Sequence, residues 1–167
     1  MRKPNSLREF LTAALPDLKR EPDALAIYVT KGTLATRHGK NLGFEYRYTA
    51  ELVMLNFRGD PRQLFLPLSL WLRKNQAEVI LDHRAGVEGI VFEVDPIDNQ
   101  AVDIQVSVPL SEAVDVLEDG KGGYTMTFRE EPPFPDEQPM SDPLALLRQI
   151  YAPGGDAKQF LVGYPDE

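Results

Sequence analysis

The chain has 167 residues, enough for one domain with a real core, and its 43% hydrophobic and 26% charged residues are ordinary for a globular protein. A net charge of −8 and a pI near 4.8 exclude broad electrostatic attachment to nucleic acid or to an anionic membrane, though not a local basic patch. There is no cysteine, so disulfides and thiolate metal sites are impossible and a reducing cytoplasm suits the chain.

No run of apolar residues approaches the length of a membrane-spanning helix. The opening MRKPNSLREF is polar and lacks the apolar centre of a signal peptide. Ser6 and Glu9 form a capping-box pattern, which predicts a helix starting there. Leu7, Phe10, Leu11, Ala14 and Leu15 follow at helical spacing and make its apolar face. Leu25, Ile27 and Val29 then alternate with Ala26, Tyr28 and Thr30, the pattern of a strand. Lys31-Gly32 reads as a tight turn, with Thr33 to Thr36 returning as a second short strand.

The stretch Phe44 to Phe57 contains no Gly, Pro or turn signal and reads as one long strand. Extended, it would run about 45 Å at roughly 3.3 Å per residue, past the edge of a compact domain of about 15 Å radius of gyration. Phe44, Tyr46 and Tyr48 share one face, and Glu45, Arg47, Thr49 and Glu51 the other. Leu52 to Leu55 is apolar on both faces and predicts a sandwiched segment. Asp60 with Gln63 is a second capping box, and Pro61 suits the first helical position. In the helix that follows, Leu64, Leu68, Trp71 and Leu72 form the core stripe, Pro67 kinks or restarts it, and Arg73 and Lys74 suit its negative end.

Ile90, Phe92 and Val94 alternate, PIDNQ turns, and Val102, Ile104, Val106 and Val108 alternate back as a hairpin. Val114 and Val116 carry the run past Pro109; Asp119-Gly120 turns, and Tyr124 to Phe128 closes as a last strand. The sum is an α+β domain over residues 1–128, an antiparallel or mixed sheet with two main helices on one face. Residues 129–142 hold four prolines and five acids, the composition of a stiff linker. Residues 143–167 form a C-terminal arm, with a short helix from Pro143 through Leu144, Leu147 and Tyr151, ended by Gly154 and Gly155.

Chemistry-bearing motifs are sparse. His38 and His83 lie in separate loop-like segments, and no zinc, thiol or nucleophile-elbow motif occurs. GTLATRHGK lacks phosphate-loop spacing, and DGKGGYT is a turn. Glu93, Asp95, Asp98 and Asp103 cluster around one turn, where Asp serves the backbone more often than a divalent cation. No catalytic, cofactor or metal residue is therefore expected. For Phe44, Tyr46 and Tyr48 three readings stand open: ordinary core packing, a subunit interface, or a stacking platform disfavoured by Glu45 and Glu51.

Four segments, in order, resemble one known family: KPNSLREFLTAALPDLKREPDAL, FEYRYTAELVMLNF, LFLPLSLWLRKNQ and EGIVFEVDPIDNQAVDIQVSVPLSE. They are similar to the tail completion protein R family of P2-like contractile-tailed phages and prophages, over roughly residues 1–117. The resemblance implies a structural, non-enzymatic protein of the virion tail, built in the host cytoplasm and placed at the neck. By analogy with tail terminators it implies a ring of six subunits that stops tube growth and prepares head joining. Its partners would be copies of itself, the tail tube protein and head–tail connector proteins, with no cofactor, nucleic acid or membrane. Interface candidates on this reading are Phe44, Tyr46, Tyr48 and Arg47, with Leu144, Leu147 and Tyr151 of the arm as anchors in a neighbour's groove. The alternative is a monomeric adaptor that holds a phage or host protein on the aromatic face.

Overall fold

The computed structural model describes residues 1–36, 42–81, 89–98 and 100–132, and the backbone of 149–154 and 157–163. Its centre is an antiparallel sheet built on two long strands, β2 (Phe44–Phe57) and β4 (Val102–Glu118). They pair from Phe44 opposite Val114 to Met54 opposite Ile104. β1 (Leu25–Thr36) flanks β2, β3 (Val91–Pro96) flanks β4 over Val102 to Ser107, and β5 (Tyr124–Phe128) pairs with the far end of β4. The order is β1-β2-β4-β3, with β5 added to β4.

The helices α1 (Lys3–Ala14) and α3 (Arg62–Asn75) pack on one face of this sheet with α2 (Pro16–Arg20) as a short companion, and α4 (Ala77–Leu81) follows α3 with Glu78 and Val79 beside Arg47 and Thr49. Leu7, Leu11, Leu64, Leu68, Trp71 and Leu72 from the helices meet Leu52, Met54, Ile104, Val106 and Val108 from the sheet. Each such side chain contributes about 1.5–3 kcal/mol by leaving water, so this cluster dominates the stability. Both helical stripes and the span of β2 and β5 are as the sequence pattern predicts. The α+β class holds.

Several expectations are corrected. The first helix starts at Lys3, not at Ser6, and its N-terminal residue offers no side-chain cap. Ser6 lies inside the first turns, where its Oγ accepts a hydrogen bond from Trp71 Nε1 at 3.2 Å. The Asp60–Gln63 box is not formed as expected: α3 starts at Arg62 with Pro61 before it and no side-chain cap, the Asp60 carboxylate accepts the Arg62 N–H at 2.8 Å, and only the Asp60 carbonyl accepts the Gln63 N–H. Pro67 does not divide α3, which runs on through it.

The predicted turn at Lys31-Gly32 does not exist. β1 is one strand with a bulge between Val29 and Lys31. Gly32 permits this because Arg47 O and Tyr48 Cβ would stand 3.1 and 3.2 Å from any β-carbon there. The segment Leu52 to Leu55 is not sandwiched either. Leu52 and Met54 are buried, but Leu55 on the other face is 44% exposed, since the described helices leave that face open there. α4 carried no signal beyond its short apolar run, and the sequence reading missed it.

The expected C-terminal helix is corrected where it is described. Residues 143–148, with Leu144 and Leu147, lie outside the described residues. Tyr151 sits in strand β6 (Gln149–Gly154), paired antiparallel with β7 (Ala157–Gly163). Ile150 and Tyr151 face Val162 and Phe160 across the pair, and β-branched and aromatic residues suit a strand better than a helix end. Gly154, one of the two glycines expected to stop a helix, instead ends β6 opposite Ala157, and Gly155 lies outside the described residues.

Candidate assembly surface

The sheet is longer than the layer of helices on it. Cross-strand register puts Leu34, Tyr46 and Glu112 in one row of the core-side face, then Thr36, Phe44, Val114 and Phe128 in the next. Val116 with Met126 and Glu118 with Tyr124 continue it. Tyr48 is buried at the foot of this region, stacked on Tyr46 with ring centres 5.8 Å apart, and Phe44 follows at 6.3 Å. Beyond them cover fails: Leu34 is 65% exposed, Met126 67% and Tyr124 58%. The same side of the same strands thus runs from dry core to open apolar surface.

A polar knot marks the boundary. Glu112 is 4% exposed, yet it has no described cationic partner at contact distance. Its carboxylate accepts the Tyr48 hydroxyl and the backbone N–H of Arg2 at 2.9 Å, with Lys3 N–H at 3.5 Å. The open N-terminus of α1 is therefore capped by a residue 110 positions away, where the helix end favours negative charge. Beside it, Gln76 is fully buried, donating to Ser111 Oγ and accepting Ser111 N–H, both at 3.0 Å. Lys3 Nζ joins Gln76 Oε1 at 2.7 Å to Glu131 at 2.6 Å. Burial, and then the Glu112 charge and hydrogen bond, push the Tyr46 hydroxyl up to about 12. Burial first and the Glu112 bond second push Tyr48 up further still.

The predicted interface residues are thus only partly gathered. Phe44, Tyr46 and Tyr48 form one row, with Tyr48 in the core cluster and the other two half-buried. Arg47 points to the opposite face, where its Nε donates to Glu45 at 2.6 Å. There it lines, with Lys31, Thr33, Thr49, Glu78 and Val79, an open groove of about 970 Å³. Leu34, Met126, Tyr124 and Phe128 were missed. Nothing in their local alternation separates them from core residues; only register across strands collects them.

Two members of the acid cluster, Asp98 and Asp103, serve the backbone. Asp98 Oδ1 accepts N–H groups of Gln100 and Ala101 at 2.6 and 2.8 Å, and these bonds hold its carboxyl below the usual range. Asp103 accepts the N–H of Asn56, whose φ of 56° marks the irregularity between Met54 and Phe57, after which β2 pairs again at Phe57 opposite Val102. Asp119 likewise closes the turn at Gly120 and Gly122 by accepting the Lys121 and Gly123 N–H groups. No group of three metal-ligating side chains occurs among the described residues. His38 and His83 lie outside them, as does the end of GTLATRHGK.

Among the described residues, the domain leaves a broad apolar face exposed, the kind of patch that marks interaction surfaces. Residues 1–132 match the family described as P2 phage tail completion protein R (GpR), and the chain belongs to that family. It is 34% identical over 146 residues to tail completion protein R of Escherichia phage P2, covering 87% of this chain and 92% of that relative. No solved structure matches the chain.

Proposed function

We propose that this phage tail completion protein acts at the head-proximal end of the tail tube. Six copies close a ring there that stops tube growth and readies the tail for head joining. The protein works by binding rather than catalysis, in the virion neck after assembly in the host cytoplasm. Its partners are copies of itself, the tail tube protein and head–tail connector proteins. One observation carries this reading: the core-side face continues past the helices as an uncovered apolar surface from Leu34 to Tyr124. A ring needs two different patches on each subunit, and such a projecting face supplies one of them. Phe44 and Tyr46 form its inner part and Tyr48 its buried root, while Arg47 contributes from the other side of the sheet.

The test is the mass of the full chain in solution, by light scattering after size exclusion, over a wide concentration range. A ring-sized mass that falls in Met126→Glu and Tyr46→Glu variants supports the ring. A strict monomer, with or without added tail tube protein, overturns it and favours the monomeric adaptor.

A further inference from the structure

Resting on the ring reading, we propose that the C-terminal hairpin Gln149–Gly163 of one copy lies on the uncovered core-side face of the next, as an exchanged arm. Three observations converge. First, among the described residues the hairpin β6–β7 pairs only with itself and joins neither edge of the main sheet. A lone two-stranded hairpin is marginal in water and needs an apolar surface to pack on. Second, the main domain offers one, in Leu34, Val116, Tyr124, Met126 and Phe128, on the side of the sheet where its own helices already pack.

Third, the tether is long enough to reach well past the chain's own face. The chain leaves the domain at the near end of that face. The Arg129 N–H bonds to Ala113 O, and Glu131 is held by Lys3. The partly exposed end of β4, Val116 to Glu118, begins beyond the buried Val114 and is about 7 Å long at roughly 3.4 Å per residue. The hairpin begins at Gln149, and between Pro132 and Gln149 the sequence carries Pro133, Pro135, Pro139 and Pro143. At about 3.1 Å per residue such a length of chain can reach about 50 Å. That is several times what the chain's own face requires. It is enough to reach an equivalent point on an adjoining domain of about 15 Å radius of gyration.

The lack of native cysteine makes the test clean. A full-length Met126→Cys chain is mixed with a full-length Phe160→Cys or Leu161→Cys chain, one for each side of β7, and oxidised mildly. A disulfide-linked heterodimer with either partner is expected, and its loss when Met126→Cys is replaced by Leu117→Cys, on the opposite side of the sheet. The doubly substituted chains, Met126→Cys with each hairpin position, report docking within one copy; a cross-link only inside the chain overturns the exchange. A ring-sized mass with no cross-link at either position overturns the exchanged arm and leaves the ring standing. A monomer by light scattering with no cross-link overturns both. A monomer in dilute solution that still gives the heterodimer when concentrated supports the arm while overturning the ring.

Discussion

The two halves of the long strands share a pattern and differ in fate. Around Leu52 and Ile104, the side chains facing the helices are dry and fixed among Trp71, Leu7 and Leu11. Around Phe44 and Val116, the same alternation on the same face ends at Met126 and Tyr124 in solvent. Alternation therefore says which side of a sheet a residue occupies, not whether anything covers that side. The cover is set by helix length and by where the helix ends are tied, and those ties are made at Glu112 and Gln76.

The contrast can be broken most strongly in the covered half. Trp71→Ala removes the largest fully buried side chain and should cost about 3–5 kcal/mol, read as a lower denaturant midpoint. Met126→Ala should change stability by less than about 0.5 kcal/mol, because little of that side chain is buried in the single chain. At the boundary, Glu112→Ala leaves the Tyr48 hydroxyl and the first N–H groups of α1 without an acceptor, a loss of about 1–3 kcal/mol. Its effect should concentrate at the start of α1, seen as faster amide exchange there than in α3.

The gentlest perturbation is alkaline pH. The folded protein holds the Tyr46 hydroxyl up at about 12 and Tyr48 higher, against an ordinary tyrosine near 10. Both neutral phenols are favoured by folding. Their contribution is thus fully present below about pH 10 and is lost as pH rises toward the folded values. Ultraviolet titration should show a class of tyrosines ionising late, together with thermal unfolding that moves to lower temperature above about pH 10.

Much of this was legible in the sequence, for physical reasons. The long strand, the last strand and both core stripes were readable because hydrophobic period is a local property. The turn at Asp60 was readable as a helix start because its bonds reach only two and three residues, though not in the predicted capping-box form. Glu112 was not, since its partners at Tyr48, Arg2 and Lys3 are distant in sequence. The false cap at Ser6 follows from the same limit: the spacing was right, but Trp71 claims the hydroxyl. Ile150 and Tyr151 suited helix or strand equally by period, and pairing with β7 decided. The aromatic row was found, but its continuation into Leu34 and Met126 is a property of register alone.

The bulge in β1 has a consequence for how the molecule can be altered. Before it, Leu25, Ile27 and Val29 face the helices; after it, Gly32 and Leu34 do. The irregularity is a phase break that shifts odd positions to even ones in mid-strand. Thr30 is the extra residue, since Val29 stands opposite Ala50 and Lys31 opposite Thr49. A chain lacking Thr30 would alternate regularly through Val29 and Lys31, and Gly32 and Leu34 would keep their side of the sheet. A single-codon deletion is thus expected to straighten the strand and leave both surfaces as they are.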